Sequence, residues 1–203
     1  MSFDVFREIY LNRRWGGEPS SGPGASLEQT KVIRMELPKL ISEFSIETML
    51  DIPCGDFQWM RHVDLSTCHY IGADVLPELV YANSQQYGHD FRVLDITRDP
   101  LPQVNMILCR DCLVHFPFEH IRRAIDNIRR SGSRYLLTTT FSARDQNTDG
   151  ELGKWRTLNL QLPPMSFPQP LNLINENCTE YEGNYSDKSL GLWRIIDLPN
   201  LLF

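Results

Sequence analysis

The sequence predicts an α/β fold: a doubly wound, mostly parallel sheet with a terminal antiparallel strand and an N-terminal helical cap. Three observations carry this prediction. Short apolar runs of strand length recur at 48–52, 70–75, 91–96, 104–109 and 134–141, with segments of helical periodicity among them. An acid lies in or just after each of the first four runs, and these acids (Asp51, Asp74, Asp95 and Asp111) are separated by 23, 21 and 16 residues, the span of one strand plus one crossover. The chain has 203 residues, 41% of them hydrophobic, as expected of one ordinary folded domain with a sizeable core.

Each element follows in order. Residues 1–45 form a cap and lid: Phe3, Phe6, Ile9 and Tyr10 give a helical pattern, and the Gly-, Pro- and Ser-rich WGGEPSSGPGAS that follows favours a loop. Ser26 is the expected N-cap of the next helix, whose apolar positions run from Val32 to Phe44 and whose Pro38 is expected to kink it. Residues 46–141 hold the five parallel strands, with helices expected at 76–87 and 118–130. Residues 142–203 turn polar and Pro-rich (PPMSFPQP, 163–170) before LGLWRIIDL at 190–198, read as the terminal antiparallel strand.

Charge and composition exclude some functions. Acids outnumber bases 26 to 20, which works against a nucleic-acid partner held by phosphate contacts. An odd set of five scattered cysteines reads as reduced thiols rather than a disulfide framework. Asp4 interrupts any leader-like start, and no run of about 18 apolar residues is present, so a soluble cytoplasmic protein without a membrane partner is expected.

In a doubly wound sheet the ligand sits outside the carboxyl ends of the strands, near the point where strand order reverses. The first strand runs into LDIPCGDFQWM, where Gly55 permits a tight turn between Asp51 and Asp56. Here the sequence resembles the class I S-adenosylmethionine-dependent methyltransferases, which carry a Rossmann-like fold. Asp51 through Phe57 match their acid-x-Gly-x-Gly-x-Gly turn, Asp74 in YIGADV matches the acid that binds the ribose, and Asp95 in FRVLDIT matches the acid near adenine. Pro53 and Phe57 stand where the first and third glycines are expected. The stretches SGPGASLEQT, LDIPCGDFQWM, LCRDCLVHF and YSDKSLGLW also resemble a poorly characterised bacterial small methyltransferase subfamily.

The resemblance implies S-adenosylmethionine as cofactor, held by Asp51, Pro53, Cys54, Gly55, Asp56, Asp74, Val75, Asp95 and Ile96. Cys109 and Arg110 are then expected beside the sulfonium, Trp15 in the lid, and Asp111 and His115 at the acceptor mouth as candidate bases. The implied activity is methyl transfer to a small molecule or glycan, with an oxygen nucleophile favoured. A catalytically silent cofactor-binding module acting through a protein partner is the alternative.

Blander readings stand beside these. A strand-end Asp often only caps a turn, LDIT suits an Asx-turn at Asp95, and His115 is also placed to close a helix or loop end. A dinucleotide-binding dehydrogenase would need the G-x-G-x-x-G that is missing. Cys109, Cys112 and His115 stand at intervals of three, but no short-spaced fourth ligand follows, so no metal is expected. Arg122, Arg123, Arg129 and Arg130 read as a solvated helix face. Trp155, Arg156, Asn159, Phe167, Asn175 and Glu176 are candidates for a substrate wall, with packing the simpler role for the two aromatics.

Overall fold

The computed structural model describes residues 2–16 and 20–203. Helix α1 (Ser2–Leu11) and helix α2 (Lys31–Glu43) precede the sheet. Strands β1 (Thr48–Asp51), β2 (His69–Asp74), β3 (Asp90–Val93), β4 (Met106–Cys109) and β5 (Tyr135–Phe141) follow, with α3 (Pro77–Gln86) and α4 (Phe118–Arg130) as crossovers. Strands β6 (Asn172–Asn175) and β7 (Lys188–Arg194) complete one seven-stranded sheet of order β3-β2-β1-β4-β5-β7-β6. Strands β1 to β5 are mutually parallel, and β7 inserts antiparallel between β5 and β6.

Both faces of the sheet are covered, and the period of two along each strand divides the core between them. Leu50, Ile71, Ala73, Ile107 and Leu136 face one cluster, which includes Ile121, Ala124, Ile125 and Ile128 of α4. Met49, Tyr70, Met106, Leu108, Tyr135 and Leu137 face the other, packed on Ile33, Leu37, Leu40 and Ile41 of α2. The buried stripe of α4 is backed by a polar face on which Arg122 bonds Glu119 and Asp126, and Arg123 bonds Glu119. Arg129 instead reaches the Leu198 carbonyl, and Arg130 the Asn127 side chain.

Several local expectations are corrected. β3 pairs only as far as Val93, so Asp95 lies beyond the strand rather than at its end, in a turn closed by its own side chain. Helix α2 begins at Lys31, because the Ser26 hydroxyl accepts the Gln29 amide at 3.3 Å and so closes the preceding turn instead of capping the helix. Pro38 sits inside α2 and the helix runs on to Glu43. The terminal strand starts two residues before Leu190 and leaves the sheet after Arg194, where Ile195–Asp197 forms a single 3-10 turn. β6 is an addition: it is a short edge strand, half exposed, whose mixed NLIN pattern carries little strand signal. Among the described residues no helix is long and apolar enough to cross a membrane.

Candidate cofactor and acceptor site

Strand order reverses between β1 and β4, and a cavity open to solvent lies at the carboxyl ends of the strands there. That is the place where a doubly wound sheet leaves room for a ligand. All of the residues expected to hold the cofactor, form the lid or act as bases line it except Cys109. Cys109 is fully buried in β4, within the core cluster on the α4 side, and its carbonyl accepts the Thr138 hydroxyl at 2.7 Å. As the last residue of a strand buried on both faces, it points into packing, while Arg110 and Asp111 emerge at the cavity.

The turn after β1 is fixed by Asp74. One oxygen of its carboxylate accepts the Gly55 amide at 3.1 Å and the other accepts the Leu76 amide at 3.0 Å, which leaves lone pairs on both for a ligand. Asn83, buried on α3, donates to the Gly55 carbonyl at 2.8 Å. Gly55 has φ of 55°, and a Cβ there would lie 2.3 Å from the Ser21 hydroxyl, so the position needs glycine for both conformation and space. Pro53 lines the cavity. Phe57 takes a left-handed φ of 56° and turns its ring into an aromatic cluster with Tyr70, Tyr87 and Phe91. The bulk at that former glycine position therefore leaves the turn open.

Two of the acids are held in an unusual state. The Asp51 carboxylate accepts the Tyr70 hydroxyl at 2.7 Å, yet burial, with the like charge of Asp74 adding to it, pushes its pKa up to about 7. Burial likewise raises Asp74 to about 6, against the lowering effect of its backbone bonds. Asp95 accepts both the amide and the hydroxyl of Thr97, so the Asx-turn and the place in the cavity wall coexist.

Past β4 the chain builds a buried ionic quartet. Arg110 donates to Glu176 at 2.7 and 3.2 Å and to the Gly24 carbonyl at 2.9 Å, with its guanidinium 5.6 Å from the Trp59 ring centre. Lys188 reaches Asp111 at 2.7 Å and Glu176 at 3.5 Å. Removing one member would leave a buried charge uncompensated, which typically destabilises by about 3–5 kcal/mol. Asp111, with its side chain 24% exposed, has φ of 51°, and Lys188 and Arg110 hold its carboxyl well below the usual carboxylate range. Four residues on, burial pushes His115 down to about 4, so its imidazole is neutral at pH 7.

Residues of the N-terminal segment border the cavity. Ser20 donates to Asp56 through its amide and its hydroxyl, at 3.0 and 2.8 Å, and the Ser21 hydroxyl accepts the Asp56 amide. The Trp15 ring lies 5.1 Å from the His115 imidazole, and Phe6 of α1 lies 6.1 Å from Trp15.

The remaining candidates lie outside the cavity. Trp155 packs on Phe141 and Tyr185, Phe167 on Trp193, and Arg156 bonds the Val114 and Phe116 carbonyls. Asn159 and Asn175 bond backbone carbonyls, so of that group only Glu176 reaches the site, through Arg110. Among the described residues no set of three or more His, Cys, Asp or Glu side chains is arranged to hold a metal ion. Sequence reasoning missed Tyr70, Asn83 and Lys188. Tyr70 and Asn83 are polar groups in an apolar strand and on a buried helix face, which is the signal that marks them, whereas Lys188 begins β7 between Asp187 and Ser189 and carries no such signal.

No protein-family model and no curated protein matches the chain. Solved structures do. The 1,6-didemethyltoxoflavin-N1-methyltransferase of Burkholderia thailandensis, solved with 1,6-didemethyltoxoflavin and S-adenosylhomocysteine, aligns over 95% of this chain and 86% of its own, with a TM-score of 0.64 at 11% identity. The N-methyltransferase NodS of Bradyrhizobium japonicum aligns over 82% of this chain and 96% of its own, at 0.56 and 15%. The fold is that of the class I methyltransferases. The magnesium protoporphyrin IX methyltransferase of Synechocystis, solved with S-adenosylhomocysteine, adds a third example over 69% of this chain and 72% of its own, at 0.53 and 14%. At these identities the methyltransferase likeness is one of architecture.

Proposed function

We propose that this chain is an S-adenosylmethionine-dependent methyltransferase that acts on a small-molecule acceptor as a single domain. The observation that carries the reading is the pair of buried, charge-starved carboxylates at the ends of β1 and β2, beside a turn held open by Gly55. Among the described residues neither Asp51 nor Asp74 is in ion-pair contact with a basic side chain, so a cationic ligand with hydrogen-bond donors would stabilise both. The fold supports the same reading, since two of the neighbours above were solved with S-adenosylhomocysteine.

The residues present fit that cofactor. By the resemblance, Asp74 would take the ribose hydroxyls on its free lone pairs, Asp95 with Ile96 would meet the adenine, and Asp51 with the Cys54–Asp56 turn would meet the methionine part. When bound, the cofactor supplies an electrophilic methyl group. The protein's own contribution is alignment, desolvation and proton removal. Ser20 and Ser21 pin the N-terminal segment to Asp56 beside the cavity. Of the two candidate bases, Asp111 is committed to Lys188 and Arg110 and accepts a proton poorly. Burial makes His115 a weak base as well, but it is neutral, its Nδ1 has no partner among the described residues and the Asp111 carboxylate would stabilise its imidazolium, so we assign it the acceptor's proton. An oxygen nucleophile is the acceptor that most needs such help.

Calorimetry with S-adenosylhomocysteine and with NAD tests this. A ligand at a hundred times its Kd adds about 2.7 kcal/mol of stability, so a thermal-shift comparison reports the same preference. Binding of NAD alone would overturn the reading, and S-adenosylhomocysteine binding without turnover across an acceptor panel would favour the silent module.

A further inference from the structure

The acceptor side of the cavity is aromatic and electrically balanced. Phe6 and Tyr10, one turn apart on α1, join Trp15 and Phe116 in lining it. Their rings are mutually packed: Phe6 lies 5.9 Å from Phe116 and 6.1 Å from Trp15, and Trp15 lies 5.1 Å from His115. Two of the residues lining the cavity carry a buried polar atom without a hydrogen-bond partner among the described residues, Oδ1 of Asp111 and Nδ1 of His115. His115 is only 9% exposed. In the tautomer protonated at Nε2, its Nδ1 offers a lone pair, so both atoms are acceptors that await a donor. Behind them Arg110 and Lys188 cancel Asp111 and Glu176, so this wall presents no net charge to an ionic ligand.

We infer that the methyl acceptor is a neutral, planar aromatic molecule that stacks on Trp15 and Phe6 and presents an O–H or N–H hydrogen to Nδ1 of His115. This deepens the proposed function and rests on it. A sugar fits the same wall poorly: its several hydroxyls would lose water against Phe6, Trp15 and Phe116 without finding partners there. A carboxylate or an ammonium would find its counter-charge already taken. In the transfer the O–H or N–H bond breaks toward Nδ1, and the freed pair forms the bond to the methyl carbon. The carbon–sulfur pair stays on sulfur, and the imidazolium then returns its proton to solvent.

The test uses the full chain saturated with S-adenosylhomocysteine, whose binding is first established by calorimetry. Naphthol, naphthalene, naphthoate and methyl glucoside are then compared by ligand-observed NMR titration. Naphthol is expected to bind about fivefold to tenfold more tightly than naphthalene, the difference that one net hydrogen bond supplies, and more tightly than the other two. His115→Phe should keep naphthalene binding and abolish the naphthol advantage, with His115→Gln in its place if the Phe variant does not fold. Tighter binding of naphthoate or methyl glucoside than of naphthol, or a naphthol advantage that survives both His115 substitutions, overturns the acceptor assignment and leaves the cofactor reading standing. Failure of S-adenosylhomocysteine to bind at the first step overturns the cofactor reading instead, and the acceptor assignment with it.

Discussion

Asp51→Asn should make the ligand-free protein more stable at pH 8 while weakening its hold on the cofactor. Asparagine keeps the shape, and its carbonyl oxygen still accepts the Tyr70 hydroxyl that now meets Asp51 at 2.7 Å. What it removes is a charge that burial disfavours. The carboxyl rises from 3.8 to about 7 on folding. Each pKa unit corresponds to about 1.36 kcal/mol, so ionised Asp51 destabilises the fold by about 4 kcal/mol above pH 7. The sign follows from linkage: the folded state binds the extra proton, so wild-type stability rises as pH falls from 8 through 7 toward 4. Asp74, raised to about 6, moves in the same direction, whereas His115, lowered to about 4, loses stability on acidification below 6.5. The His115 effect is common to wild type and variant and cancels in the difference, whereas Asp74, coupled to Asp51 by like charge, cancels only in part. Urea denaturation should therefore show the variant more stable by about 2–4 kcal/mol at pH 8, with the gap closing toward zero near pH 4. A variant less stable than wild type at pH 8, or a gap independent of pH, would refute the account of Asp51 as a destabilising carboxylate kept for its ligand.

Three further outcomes are expected. Asp74→Ala should weaken S-adenosylhomocysteine binding by at least about tenfold in calorimetry, because it removes charged acceptors worth roughly 1.5–3 kcal/mol per bond and frees the Gly55 amide from its anchor. Lys188→Met should destabilise the fold by about 3–5 kcal/mol in chemical denaturation, since it leaves Asp111 and Glu176 sharing the single charge of Arg110. A loss under about 1 kcal/mol would mean that water compensates the quartet. Once an acceptor is known, His115→Gln should lower turnover by roughly a hundred- to ten-thousand-fold with cofactor affinity nearly constant. The wild-type rate should fall only below about pH 4 on account of His115, where the imidazole protonates in the ligand-free protein; an acidic limb near 6.5 would show an exposed, unperturbed His.

Strands β1, β2, β4 and β5 were legible because they are largely apolar runs buried on both faces, as central parallel strands must be, whereas β3 is a half-exposed edge strand. Helix α4 was legible to the residue, since its apolar stripe is bounded by Pro117 on one side and Ser131–Gly132 on the other. β6 was not: a half-exposed edge strand is held by pairing to β7, and NLIN gives no alternation of its own. Asp95 shows the same limit from another side, because where a strand stops pairing depends on its neighbour's length, which no local pattern records.

The cavity divides in the same way. Asp51, Gly55, Asp74, Asp95 and Arg110 were named from the chain alone because strand ends and a tight turn are local features, and the doubly wound topology sends every strand end to one side of the sheet. Which groups neutralise which was decided only by folding. Lys188 and Glu176 lie 77 and 66 residues from their partners Asp111 and Arg110, and no spacing rule links them until β7 runs back antiparallel beside β5. That pairing set Lys188 against Asp111 and made it a committed anion, while burial left His115 neutral, its Nδ1 unpartnered among the described residues, beside Trp15; distance and desolvation are properties of the tertiary structure and not of the sequence order.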